Sequence, residues 1–263
     1  MSGEGFAEGR IYLLISIVPG LQILAIMADS IPPTNLQLFR DVEQTFASTG
    51  LGSRWYILVL AALVGGNEPE MADQLYVYLI SKPECQESHQ RQALVRRLRE
   101  TLLKLVPIIG VCKPIEAIIA IKKVEREEDR DYSFSRKDWK CDDDNLERGM
   151  QWLQQIYAGN IDDTLALFDA HKDFQWVSKN ITYGLYLSDR QILDDYDTEL
   201  LTLVGIMIQN LPMETHWHIR GARRIGISKE DVKTIVSCVG KVANFMGVKQ
   251  NRIPLVEDVE KDV

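Results

Sequence analysis

The chain has 263 residues, and 30 basic against 38 acidic side chains give it a formal charge of −8. It is long enough to bury a core, so global disorder is excluded, and an acidic chain without a Lys/Arg cluster offers no electrostatic footprint for nucleic acid. The four cysteines, Cys85, Cys112, Cys141 and Cys238, lack metal or CxxC spacing and read as reduced thiols of an intracellular protein.

Residues 11–28 form a run without charge. It is slightly short for a bilayer span, and Pro19-Gly20 interrupts it. Its leader carries Glu4 and Glu8 against Arg10, the wrong balance for a secretory signal. The expectation is two short buried helices in an N-terminal extension, 1–50, and no membrane segment.

Apolar residues then recur at three- and four-residue spacings over 36–46, 54–64, 69–80 and 90–106. The stretch 122–149 is dense in charge and poor in aliphatics, which predicts a solvated linker, centred on 126–145. Helical periodicity resumes over 146–157, 163–171, 174–186 and 198–209. Asn210-Leu211-Pro212 breaks the last of these, and a further helix starts near Met213. Ser228 is a natural N-cap with Asp231 three residues on, and Gly247 is placed to end the helix that follows. The tail 251–263 is acidic and predicted to be loose. No alternating strand pattern is found, so the fold class is all-α.

The halves show traces of duplication. Moving the chain by 98 positions sets LLKLV at 102–106 on LLTLV at 200–204, Pro114 on Pro212 and Glu116 on Glu214. The predicted architecture is two tandem helical repeats packed together.

Candidate chemistry concentrates in 199–226. Glu199 opens an otherwise apolar helix. Glu214 and His218 are one turn apart on the next, so they share a face, and a carboxylate there can orient an imidazole. Glu199 can add a second carboxylate to a proton-transfer cluster. The bland alternative is an ordinary surface pair at Glu214 and His218, with Glu199 complementing a helix dipole. His216 lies about 200° around the helix from His218, so the HxH is a poor metal site and no metal is expected. Arg220, near the end of the same helix, either complements its dipole with Arg223 and Arg224 or holds a substrate carboxylate. Trp152, Trp176, Tyr183 and Tyr186 read as core, and His89 and His171 as surface residues. Cys112 reads as a small core residue.

Residues 187–247 resemble the carboxymuconolactone decarboxylase family, which shares the helical fold of alkylhydroperoxidase D. The resemblance rests on Glu199, His218, Gly221-Ala222 and the run GISKEDV at 226–232. It is weaker over 54–125 and does not extend to 1–50. It implies a degenerate first repeat at 51–125, a second repeat at 146–250, and a cytoplasmic homo-oligomer acting on a small molecule without a cofactor. The positions that carry the two thiols of the peroxidase branch are Leu211 and Glu214, so disulfide cycling is chemically unavailable there. The decarboxylase-like branch has Glu-Trp-x-x-His. Glu214 and His218 match that spacing, but position 215 is Thr and the indole stands at Trp217. The resemblance implies His218 as acid/base, Glu214 as its orienting group and Glu199 as a second base or orienter. Trp217, Arg220 and His216 would line the substrate site. The expected reaction is decarboxylation, isomerisation or ring rearrangement of a carbonyl or lactone compound. A non-catalytic binding or assembly protein is the alternative, and thiol redox chemistry through Cys112 is a less favoured one.

Overall fold

The structure, a computed structural model, describes residues 31–263, and the apolar run 11–28 lies outside them. The described residues are all-α. In chain order the helices are α1 (Pro33–Phe46), α2 (Trp55–Gly65), α3 (Ala72–Ile80), α4 (Ser88–Ile109), α5 (Cys112–Val124) and α6 (Asp143–Tyr157). Then follow α7 (Ile161–Ala166), α8 (Lys172–Trp176), a π-helix (Val177–Leu187), α9 (Asp195–Met207), α10 (Pro212–Arg224), α11 (Lys229–Met246) and α12 (Val256–Val259). No helix among the described residues is long and apolar enough to cross a membrane.

Two helices are buried all round and form the centre. Every residue of α2 is buried, and so is α9 from Asp197 to Met207. They pack on each other, with α4 against both and α11 and α1 outside. A capping box fixes the start of α9: Asp194 accepts from the Asp197 N–H, and the Asp197 side chain accepts from the Asp194 N–H. Arg97 donates two 2.9 Å hydrogen bonds to the same Asp197, and Arg54 adds an ion pair. Glu199 follows two residues later, so its position is anchored to α4 through Arg97. The predicted cap of α11 is present: Ser228 accepts from the Asp231 N–H, and Gly247 takes the left-handed conformation at φ 71°.

A smaller core, built from Trp152, Leu153, Ile156, Tyr157, Tyr183 and Leu187, lies where α6 meets the π-helix. These two elements approach too closely for side chains. A Cβ at Gly149 would stand 2.7 Å from the Gly184 amide nitrogen, and one at Gly184 would stand 2.5 Å from Asn145 Nδ2. The glycine pair thus seats the π-helix, with Tyr183 beside it.

Four expectations are corrected. The charged stretch is not a solvated linker. Asp129 is fully buried against Arg91 at 2.7 Å, Asp131 takes Arg99 at 2.8 Å, and Arg136 grips the buried Glu100 at 2.6 and 2.7 Å. The arginines of α4 turn a charge-rich segment into a strap. The acidic tail is likewise docked: Val256 and Val259 are buried, and Glu260 pairs with Arg223 on α10 at 2.9 Å. Cys112 is exposed, because it opens α5 on its outer side. Trp176 is also exposed, at the end of the short α8, where no element covers it.

Candidate proton-transfer site

α9 and α10 are consecutive and packed together, and that packing brings Glu199 to His218. Glu199 Oε1 and His218 Nδ1 are 2.8 Å apart. Both groups are buried, at 0% and 4% exposure, so their interaction is little screened. Burial pushes the Glu199 carboxyl above the ordinary carboxylate range, and the His218 contact opposes that rise. The second oxygen of Glu199 is buried without a hydrogen-bond partner among the described residues.

The close contact depends on Gly221, one turn after His218. A Cβ there would meet Ile156 Cγ2 at 2.6 Å and Glu199 Oε1 at 3.2 Å. Glycine lets α10 press against both α6 and the carboxylate.

The other face of the imidazole leads away from Glu199. His218 Nε2 lies 3.4 Å from Tyr183 Oη, and the Tyr183 hydroxyl donates to Tyr157 Oη at 3.2 Å. Tyr157 packs edge-on to His218, with ring centroids 6.3 Å apart, and to Trp217 at 6.1 Å. Burial pushes the Tyr157 phenol up to about 12, with the Tyr183 hydrogen bond acting against it, and raises Tyr183 strongly. Both therefore stay protonated at neutral pH. Tyr157 and Trp217 line a cavity of about 80 Å³ together with Leu153, Leu165, Phe168 and Ser178.

The remaining sequence-derived candidates divide. Trp217 is half-buried at this cavity. Arg220 is 7% exposed, and its guanidinium has no ion-pair partner among the described residues. Glu214 is half-buried and makes no hydrogen bond to His218; the orienting carboxylate is Glu199. One helical turn places Glu214 beside His218 along the axis, but the imidazole turns its Nδ1 across to α9. His216 points the other way and pairs with Asp262 of the docked tail at 3.0 Å. Among the described residues no group of three His, Cys, Asp or Glu side chains is placed to hold a metal.

Tyr183 and Tyr157 lie beside His218, yet spacing marks Tyr183 only as a core aromatic and does not single out Tyr157. The available signal was weak: a buried phenol needs a hydrogen-bond partner, and two of them on facing helices can supply each other. Lys104 was missed as well. It is fully buried on α4, donates to the Asp189 carbonyl at 2.6 Å and to Thr198 Oγ1 at 2.7 Å, and burial lowers it to about 7.

A larger apolar groove of about 340 Å³ lies between α4, α5 and the strap. It contains no histidine, and its Arg136 and Glu100 are paired with each other. The buried carboxylate–imidazole contact lies apart from this groove, at Glu199 and His218.

No family model and no solved structure matches this chain. Over 195 residues, 74% of this chain and 87% of the relative, it is 20% identical to peroxisomal protein 2 of Schizosaccharomyces pombe.

Proposed function

We propose that this chain is an acid–base enzyme of the carboxymuconolactone decarboxylase-like kind, acting on a small carbonyl or lactone compound. The observation that carries the reading is the 2.8 Å contact of Glu199 with His218 inside the fold. A buried carboxylate on Nδ1 fixes the tautomer that leaves Nε2 free to accept a proton, and it stabilises the imidazolium once formed. Removing a proton next to a carbonyl gives an enol or enolate, the common entry to decarboxylation, isomerisation and ring rearrangement. No redox cofactor is needed for such a step. The unpaired Arg220 suits a substrate carboxylate.

The duplication belongs to the same reading. α4 and α5, moved by 98 positions, overlap α9 and α10. In the first half Thr101 and Ala120 take the places of Glu199 and His218, leaving one functional pair. We assign the chain to a homo-oligomer, as the family resemblance implies. The relative named for the peroxisome sets a peroxisomal location beside the cytoplasmic one, and imaging of a tagged full-length chain separates the two.

The test is a panel of lactones and keto acids assayed with wild type and His218→Ala. Turnover of one member, lost at least about 100-fold in the variant, is the expected result. A binding or assembly protein would turn over none of them, and equal turnover by both proteins would remove His218 from the chemistry.

A further inference from the structure

His218 cannot meet a substrate directly along its present surroundings. It is 4% exposed, with Glu199 on one ring nitrogen and Tyr183 at the other. The nearby cavity of about 80 Å³ is lined by Tyr157 and Trp217, not by His218 or Glu199. A base so enclosed needs a carrier to reach a carbon acid in that cavity. The structure provides a continuous series of oxygen and nitrogen atoms for it: 2.8 Å from Glu199 to His218, 3.4 Å on to Tyr183, and 3.2 Å on to Tyr157.

We propose that Tyr183 and Tyr157 form a two-hydroxyl proton relay between His218 Nε2 and the cavity, with Tyr157 as the group that exchanges a proton with substrate. The ligand class is a small carbon acid with an apolar body, such as a five-membered lactone, because the lining is mostly aliphatic and aromatic. The inference rests on the acid–base function proposed above.

The step is a concerted shift. The C–H bond beside the substrate carbonyl breaks, and its proton goes to Tyr157 Oη. The proton of Tyr157 passes to Tyr183 Oη, and that of Tyr183 passes to His218 Nε2. The electron pair stays on the substrate as an enolate. His218 becomes an imidazolium facing the Glu199 carboxylate. Return of the proton to a different carbon isomerises the substrate, and return of a solvent-derived proton labels it. Before the step Tyr157 donates to Tyr183 and Tyr183 to His218. Afterwards both hydroxyls point the other way, and the 3.2 Å contact between Tyr183 and Tyr157 accommodates either direction. Hydroxyl protons rotate to suit either polarity. Neither phenol has to accumulate as a phenolate, consistent with burial raising both.

The relay is held by the packing of the smaller core. The wide turns of the π-helix carry Tyr183, and π-helical insertions recur at functional sites. The facing glycines Gly149 and Gly184 hold that element against α6, which carries Tyr157.

The experiment uses the full chain and α-angelica lactone as probe, comparing wild type, His218→Ala, Tyr183→Phe and Tyr157→Phe. Proton exchange and isomerisation are followed by NMR in D₂O, alongside the ¹⁵N resonance of His218 Nε2. Phenylalanine keeps each ring and removes one hydroxyl. The relay predicts a fall in kcat of about 100-fold in both tyrosine variants, KM within about twofold, and thermal midpoints close to wild type. It also predicts that Tyr157→Phe moves the His218 Nε2 resonance, although Tyr157 does not hydrogen-bond to that nitrogen. Exchange at the wild-type rate in Tyr183→Phe overturns the relay and leaves the Glu199–His218 reading intact. If wild type itself shows no exchange, the enzymatic reading fails with this probe, and the resonance decides the relay: displaced in Tyr157→Phe supports it, unmoved overturns it.

Discussion

Glu199 Oε1 and His218 Nδ1 meet at 2.8 Å across two consecutive helices, nineteen positions apart in the chain, where solvent is nearly excluded. Exposed pairs of this kind contribute little, but here the low dielectric couples the protonation of one group to the other. Glu199→Gln keeps an acceptor for the Nδ1 proton and removes the charge that stabilises the imidazolium. Activity is expected to fall by about 100-fold with the fold retained, measured as kcat on the best substrate of the panel. Stability should respond to pH as well. Because burial raises the Glu199 pKa, its favourable contribution is present below the ordinary glutamate range and is lost as pH rises through the raised value. Urea titrations should show that slope in wild type and a shallower one in Glu199→Gln.

Gly221→Ala inserts one methyl group between α6, α10 and the carboxylate. With Ile156 Cγ2 at 2.6 Å and helix backbone holding the new atom in place, α10 must move. The expected cost is about 1–3 kcal/mol in urea unfolding, with activity reduced further because the Glu199–His218 contact opens. Adding Ile156→Ala, which removes Cγ2, should relieve the clash, so the costs of the two changes should be less than additive.

Lys104 supplies a second pH signature, at the other end of the scale. Burial lowers it from 10.5 to about 7, with the Arg190 charge adding to the effect. The unfolded chain therefore binds a proton here that the folded chain releases, and stability should rise with pH from about 7 towards 10.5. Lys104→Met removes that dependence and should be as stable as wild type or more so at neutral pH. Unfolding midpoints at a series of pH values for the two proteins check the prediction.

Arg136 holds Glu100 through two hydrogen bonds, and Glu100 is only 3% exposed. Arg136→Met leaves that carboxylate buried without its main partner, which should cost about 3 kcal/mol. The double variant with Glu100→Gln should regain most of the loss. Equal stability of Arg136→Met and wild type would mean that the strap contributes nothing to the fold.

Much of the helical skeleton is legible in the sequence because one strong signal, apolar periodicity, decides it. The centre of the molecule is the clearest case: the all-apolar run of α2 has no polar face to show to water. The junction of α9 and α10 is equally plain, since Pro212 can start a helix but cannot continue the previous one. What escaped depends on partners distant in sequence. The segment around Asp131 reads as solvated until Arg96 and Arg99, some 32 to 35 positions away, are seen to hold it. Glu214 reads as the partner of His218 because i and i+4 residues are neighbours on one helix. Tertiary packing instead turns the imidazole towards Glu199. Tyr183 reads as core because neither its π-helical setting nor its hydroxyl partner leaves a mark in local spacing.

The most direct test of the central claim is incorporation of solvent deuterium into α-angelica lactone by wild type and by His218→Ala. If Glu199 and His218 form a proton-transfer site, wild type should label the carbon next to the carbonyl above the uncatalysed rate, and the variant should lose that excess while remaining folded. Labelling at the same rate in both proteins would contradict the account.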